Sequence, residues 1–293
     1  MLRKSLVFVL LLLAGVLPAA AQRVGVVMSG GGAKGLYHIG VLEALEQNGV
    51  PIDCVAGTSM GSIIAAMYAA GYSPAEMRAI VSSGVVKEWV SGRIDPNKYM
   101  DYYRQVGNNP SFLSLLIDVE SPAGKRFQVP KNLISSTQID LALTELFAPA
   151  TAASEGDFDR LMVPFLCVAS DMNHRRPAVL RSGELSEAVR SSMAIPLVFK
   201  PMGIDSMLLY DGGIYDNFPV GPMKEAFHPD FIFGSTVAGG NNKPSSNPYN
   251  QLETMIMQKT EYDVPEDEGM MIKFSFPTVS LLDFQKAREL MDI

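Results

Sequence analysis

The chain is 293 residues long, 47% of them apolar, with 24 Lys and Arg against 31 Asp and Glu for a formal net charge of −7. That much apolar sequence suffices for one large domain with a full core, and the acidic balance excludes a nucleic acid as an electrostatic partner. Two cysteines without a CxxC pair, and three histidines scattered at His38, His174 and His228, exclude a disulfide framework and a metal site of ordinary spacing.

Arg3 and Lys4 form a basic head, Leu6 to Leu17 is almost wholly aliphatic, and Ala19, Ala20 and Ala21 are the small residues at which a signal peptidase cuts. Residues 1–21 are therefore expected to be a cleaved signal peptide, since a membrane anchor needs a longer apolar run of roughly 20 residues. The mature chain, residues 22–293, is then exported to the periplasm, the outer membrane or the medium. Loss of Arg3 and Lys4 leaves 22 basic against 31 acidic residues, a net of −9.

"RVGVVMS" reads as a buried strand, and Leu36, Ile39, Leu42 and Leu45 predict a helix over 35–48 closed by Gly49. "DCVAG" predicts a second strand, "MGSIIAAMYAAG" a second helix ending at Gly71, and "SPAE" at 73–76 a capping box with Pro74 at the first position of a third helix. Alternating strands and helices imply a parallel sheet covered on its faces.

From about Lys87 to Ala153 that rhythm breaks, with Trp89, Tyr99, Tyr102, Tyr103, Phe112 and the run "FLSLLI". Dispersed prolines and glycines argue against a linker. Strand signals return with "VPFLCVAS", "PAVLRS", "MLLYDGG" and "DFIFGST", and "GGNNKPSSNPYN" at 239–250 reads as a surface loop. Cys54 and Cys167 lie in strand-like runs and are expected as buried free thiols, although an exported protein would allow them to pair.

Gly30, Gly32 and Gly35 fit the dinucleotide fingerprint G-x-G-x-x-G, with Asp53 about 20 residues later. The acid that holds a ribose stands at the exit of the second strand, whereas Asp53 precedes "CVAG" and stands at its entrance. At the exit stands "GTSMG" instead, a G-x-S-x-G pattern in which Gly57 and Gly61 let a strand turn sharply into a helix and lift Ser59 out as a nucleophile. A serine attacking an acyl carbon needs N–H donors where the oxyanion forms. Gly30, Gly31 and Gly32 fit the wall of such a hole, with Lys34 either adding positive potential or simply solvated.

For the base, the order Ser59, Asp211, His228 fits the α/β-hydrolase pattern poorly, because there several strands precede the elbow and here only one does. His228 reads as a helix-end residue, His174 as a loop residue and His38 as a packing or hydrogen-bonding residue. "LLYDGG" places Asp211 at a strand end, with Gly212 and Gly213 opening space beside it. If that strand lies next to the one feeding Ser59, the carboxylate takes the serine proton directly once burial raises its proton affinity. An Asp-Gly turn is the plain alternative. Asp171, Asp205 and Asp216 lack the combination of strand exit and double glycine.

The three pieces "GGGAKG" at 30–35, "GTSMG" at 57–61 and "DGG" at 211–213, joined by "SSMAIPLVFKP" at 191–201 and "DNFPV" at 216–220, resemble the patatin-like phospholipases, bacterial and exported, over about residues 23–236. The resemblance implies a three-layer α/β/α sandwich with a mainly parallel sheet. It also implies a Ser59–Asp211 dyad without histidine, oxyanion donors around Gly31 and Gly32, no cofactor and no metal. Lys34, Gly35, Gly57, Gly61, Gly212 and Gly213 support the motifs. Tyr37 stands where the family often has a small residue, and is expected to narrow the nearby pocket. The implied activity is hydrolysis of fatty-acyl esters of phospholipids or related lipids, with transient contact with a membrane surface allowed; residues 99–117 then either line an acyl-chain groove or touch a lipid surface, or are ordinary core helices. The acidic charge opposes capture by an anionic bilayer. A dinucleotide-binding oxidoreductase and a non-catalytic lipid-binding protein on the same fold are the other readings. "LLDFQKARELMDI" stops in a helical pattern without a closing glycine, which raises the expectation of further residues after Ile293.

Overall fold

The computed structural model describes residues 22–92, 116–118, 126–128, 134–237, 260–276 and 278–292. The expected signal peptide at 1–21, most of the aromatic stretch at 99–117 and the expected surface loop at 239–250 lie outside the described residues.

Strand β1 (Val24–Met28) is followed by a 3-10 turn (Gly32–Leu36), helix α1 (Tyr37–Gln47), strand β2 (Cys54–Thr58) and helix α2 (Met60–Ala69). Helix α3 (Pro74–Ser82) begins with the expected capping box, in which the Ser73 hydroxyl accepts from the Glu76 N–H and the Glu76 carboxylate accepts from the Ser73 N–H. A short α4 (Val85–Trp89) precedes the β3 (Leu116–Asp118) and β4 (Arg126–Gln128) hairpin and α5 (Thr137–Ser154). Next come β5 (Phe165–Asp171), β6 (Arg176–Leu180), α6 (Leu185–Ser192), β7 (Met202–Ile204) and β8 (Met207–Asp211). The chain ends with α7 (Val220–Phe227), β9 (Phe231–Thr236), β10 (Gly269–Lys273) and α8 (Ala287–Met291).

Strands β10, β9, β1, β2 and β5 are parallel in that spatial order, while β6, β8 and β7 add antiparallel pairs at the β5 end, so the sheet is mixed. Both faces are covered. Val26, Met28, Val55, Cys167 and Ala169 point into a large core beneath the helices. Their alternates Val27, Cys54, Ala56, Leu166 and Val168 point into a smaller one with Met223 and Phe227 of α7. A strand buried on both faces must read as a continuous apolar run, as β1, β2 and β5 do. Among the described residues, no helix is long and apolar enough to cross a membrane.

The same alternation settles the cysteines. Gly57 is in register with Cys167, which leaves Cys54 three positions away and on the opposite face of the sheet. Both are buried free thiols. Burial pushes the Cys54 thiol up to about 12 and the Cys167 thiol higher still, so neither is a reactive thiolate.

Candidate active site

Ser59 sits between β2 and α2 with φ 54° and ψ −121°, a left-sided conformation that costs a non-glycine residue on the order of 1–3 kcal/mol. The two motif glycines allow the turn. A Cβ on Gly57 would lie 2.4 Å from the Gly61 carbonyl carbon, and one on Gly61 would lie 2.3 Å from the Met28 oxygen. The strained backbone is held by its neighbours. The Ser59 N–H donates to Ser192 Oγ at 2.9 Å, that hydroxyl donates to the Val168 carbonyl at 2.6 Å, and Ser62 Oγ donates to the Ser59 carbonyl at 2.6 Å.

The Ser59 hydroxyl donates to Asp211 Oδ2 at 2.7 Å, and both residues are buried, at 3% and 1% exposure. The strands that deliver them do not pair with each other, so the side-by-side condition read from the sequence is not met. Strand β6 occupies one edge of β5 along Cys167–Asp171, so β2 and β8 share the other edge, β2 reaching Val168 through Thr58 and β8 reaching Ala169 through Asp211. The two strands therefore meet end to end. Gly212 permits the junction, since a Cβ there would stand 2.1 Å from the Val168 oxygen. Asp211 Oδ1 accepts the Gly213 N–H at 2.8 Å, and the Asp211 N–H donates to the Ala194 carbonyl at 2.9 Å. Burial pushes the carboxyl up to about 6, against the smaller lowering by the Ser59 and Gly213 donors.

The glycine loop lies against this pair. A Cβ on Gly30 would fall 2.9 Å from the Ser59 Cβ and 2.3 Å from Asn217 Oδ1. Gly32 has φ +57°, and its Cβ would fall 2.2 Å from the Leu281 oxygen. The three glycines are not equivalent as donors. The Gly30 N–H is already given to the Asn217 carbonyl at 3.2 Å, whereas those of Gly31 and Gly32 meet no acceptor among the described residues. Gly30 is thus a close-approach residue, and the available donors are Gly31 and Gly32. Lys34 is buried at 4% exposure and not solvated. Gly35 makes room for Met60, whose Cγ would be 2.5 Å from a Cβ there.

None of the histidines contacts the pair. His38 is fully buried, its Nε2 donating to the Ser29 carbonyl at 2.9 Å and its Nδ1 therefore accepting from the Ser235 hydroxyl at 2.7 Å. Burial lowers it to about 4, so it is neutral. His174 pairs with Asp171 in a loop, where that carboxylate also accepts two backbone N–H groups. His228 ends α7 with φ 48°. Asp205 is an exposed turn residue, Asp216 accepts the Phe218 N–H, and Asp53 ties the entrance of β2 to Val24. Tyr37 does not narrow the pocket: it packs against Phe274 and Phe276, with ring centres 5.4 and 5.7 Å away. Among the described residues, no group of three His, Cys, Asp or Glu is placed to hold a metal ion.

Beside Ser59 lies a narrow cavity of about 50 Å³. Met60, Ile63, Ile64 and Met67, one face of α2, form a wall, faced by Ile139 and Leu143 of α5 and by residues of α3 and α4. Apart from Ser59, every side chain lining it is apolar. A lining of this kind suits an apolar ligand.

The patatin-like phospholipase profile matches residues 26–224, a span that contains Ser59, Asp211 and the glycine loop. Lysophospholipase NTE1 of Cryptococcus neoformans is 30% identical over 211 residues, which are 72% of this chain and 11% of that protein. An uncharacterised NTE family protein of Mycobacterium tuberculosis is 27% identical over 274 residues, 94% of this chain and 61% of that one. The chain thus spans a minor part of the first relative and under two thirds of the second. Among solved structures, VipD from Legionella pneumophila aligns with a TM-score of 0.42 at 15% identity, covering 92% of this chain and 67% of VipD. With the profile spanning both ends of the Ser59–Asp211 contact, the chain belongs to the patatin-like phospholipase family and has its mixed-sheet α/β fold.

Proposed function

We propose that this protein is a serine acyl hydrolase that cleaves fatty-acyl esters of phospholipids, lysophospholipids or neutral lipids through Ser59 and Asp211. The observation that carries the reading is the 2.7 Å hydrogen bond from a strained serine to a buried carboxylate, with that serine lining an apolar cavity. As Ser59 Oγ bonds to the ester carbonyl carbon, its proton passes to Asp211 Oδ2. The Gly31 and Gly32 N–H groups, fixed in place beforehand, receive the oxyanion. Collapse expels the alcohol, which leaves with the proton from Asp211. Water then attacks the acyl-serine, gives its proton to Asp211, and releases the fatty acid as that proton returns to Ser59. A carboxyl group near 6 is ionised at neutral pH yet basic enough to accept a proton in passing.

Treatment of the folded chain with a fluorophosphonate, followed by peptide mass spectrometry, tests the reading. An adduct on Ser59 that is lost in Asp211→Asn supports it. An unlabelled, accessible Ser59 in a protein that still binds fatty acid or vesicles overturns it in favour of a lipid-binding protein. A copurifying absorbing cofactor that survives Ser59→Ala would point to an oxidoreductase. We also propose that residues 1–21 are a cleaved leader and that the enzyme works outside the cytoplasm, which N-terminal sequencing of protein from the cell envelope checks by a start near Gln22.

A further inference from the structure

The lining of the apolar cavity follows α2 and α5. On α2 its lining residues are Met60, Ile63, Ile64 and Met67, spaced along one helix face that starts beside Ser59 and ends in the last turn of α2. On α5 the lining residues are Ile139 and Leu143. Beyond both series, the Tyr72 hydroxyl donates to the Leu146 carbonyl at 3.1 Å and ties the end of α2 to α5. Tyr72 stands past Met67, and Leu146 one turn past Leu143. Met67 itself is 2% exposed, and the fully buried Phe147 follows Leu146.

We propose that this cavity holds a single acyl chain of medium length, with Met67 as the floor that sets the limit. Eight residues separate Ser59 from Met67, which at a helical rise of about 1.5 Å per residue is about 12 Å. Carbon–carbon bonds of about 1.5 Å at near-tetrahedral angles advance an extended chain by about 1.25 Å each, so about ten carbons fit. Helical side chains lean toward the helix N-terminus, which brings the Met67 side chain back toward Ser59 and makes that figure an upper bound. A longer chain must displace Met67 or break the α2–α5 closure. The inference rests on the acyl-transfer reading and adds the substrate class to it.

The test is the ratio of kcat/KM across p-nitrophenyl esters from butanoyl to hexadecanoyl, for the full chain and for Met67→Ala and Met67→Phe. The expected profile rises to octanoyl or decanoyl and falls about tenfold or more by hexadecanoyl, the scale at which pocket length discriminates between methylenes. Met67→Ala moves the optimum to longer chains and Met67→Phe to shorter ones. Opposite movements are a signature that general loss of packing does not produce, and thermal melts identify a variant that fails to fold. The wild-type profile decides the length limit without either variant. Turnover with a flat profile, a hexadecanoyl optimum, or both variants moving the optimum the same way overturns the inference and leaves the acyl-transfer reading standing. Absence of turnover together with absence of fluorophosphonate labelling at Ser59 overturns the reading itself.

Discussion

Ser59 and Asp211 are 152 residues apart in the chain and joined by a 2.7 Å hydrogen bond, because the strands that carry them abut along one edge of β5. The contact places an ionisable group where water does not reach. Burial raises the folded Asp211 pKa from 3.8 to about 6, so the stability associated with this group is full below about pH 4 and is lost as pH rises through 6.

Asp211→Asn removes that cost. At pH 8 the variant is expected to be more stable than wild type by up to about 3 kcal/mol, the free-energy equivalent of the shift. The gain should vanish toward pH 4, and ester turnover should be lost at every pH. Denaturant melts at the two pH values check the first part. In wild type, kcat/KM should fall below about pH 6 as Asp211 takes up its proton.

His38 has the opposite slope. Its folded value near 4 lies below the ordinary 6.5, so its contribution is full above pH 6.5 and is lost as pH falls through 4, about 3 kcal/mol in all. Between pH 4 and 6 the two groups oppose each other. Asp211→Asn should therefore show a steeper acid loss than wild type, while His38→Gln, weaker at pH 8, should lack that loss. Urea midpoints across pH 4–8 decide this.

The strand, loop and elbow around Ser59 were legible because each depends on neighbours in sequence: apolar runs make the strands, and Gly57 and Gly61 sit where strand and helix backbones touch. The free cysteines followed from the same apolar patterning. The end-to-end meeting of β2 and β8 had no local signal. It exists because β5, at seven residues, outruns the part of it that β2 pairs with and leaves an edge for an antiparallel partner. The commitment of the Gly30 N–H to Asn217, the burial of Lys34 and the turning of Tyr37 toward Phe274 and Phe276 likewise depend on partners far along the chain. Ser192 was legible only as part of "SSMAIP", without a role.

That role is now specific. Ser192 Oγ accepts from the strained Ser59 N–H and donates to Val168, so Ser192→Ala leaves a buried N–H without its partner. The expected loss of stability is about 1–3 kcal/mol. As a positioning residue it should lower kcat by about 100-fold with KM nearly unchanged, since a displacement on the order of 1 Å costs that much. An equal loss in kcat and rise in KM would assign it to packing alone.

Gly212, just past the end of β8, and Gly203, within β7, have very different surroundings. Neither has a positive φ, but a Cβ on Gly212 meets the Val168 oxygen at 2.1 Å and Thr58 Cγ2 at 2.7 Å, whereas nothing stands within 4 Å of one on Gly203. Backbone cannot move aside as a flexible side chain can, so Gly212→Ala must push the end of β8, and Asp211 with it, away from Thr58 and Ser59. Turnover should fall by about 100-fold or more, and fluorophosphonate labelling of Ser59 should slow with it. Gly203→Ala should change stability by no more than about 0.5 kcal/mol and leave labelling as it is. Parallel labelling rates on the two variants separate the requirement for an end-to-end junction from the general cost of a methyl group in a strand.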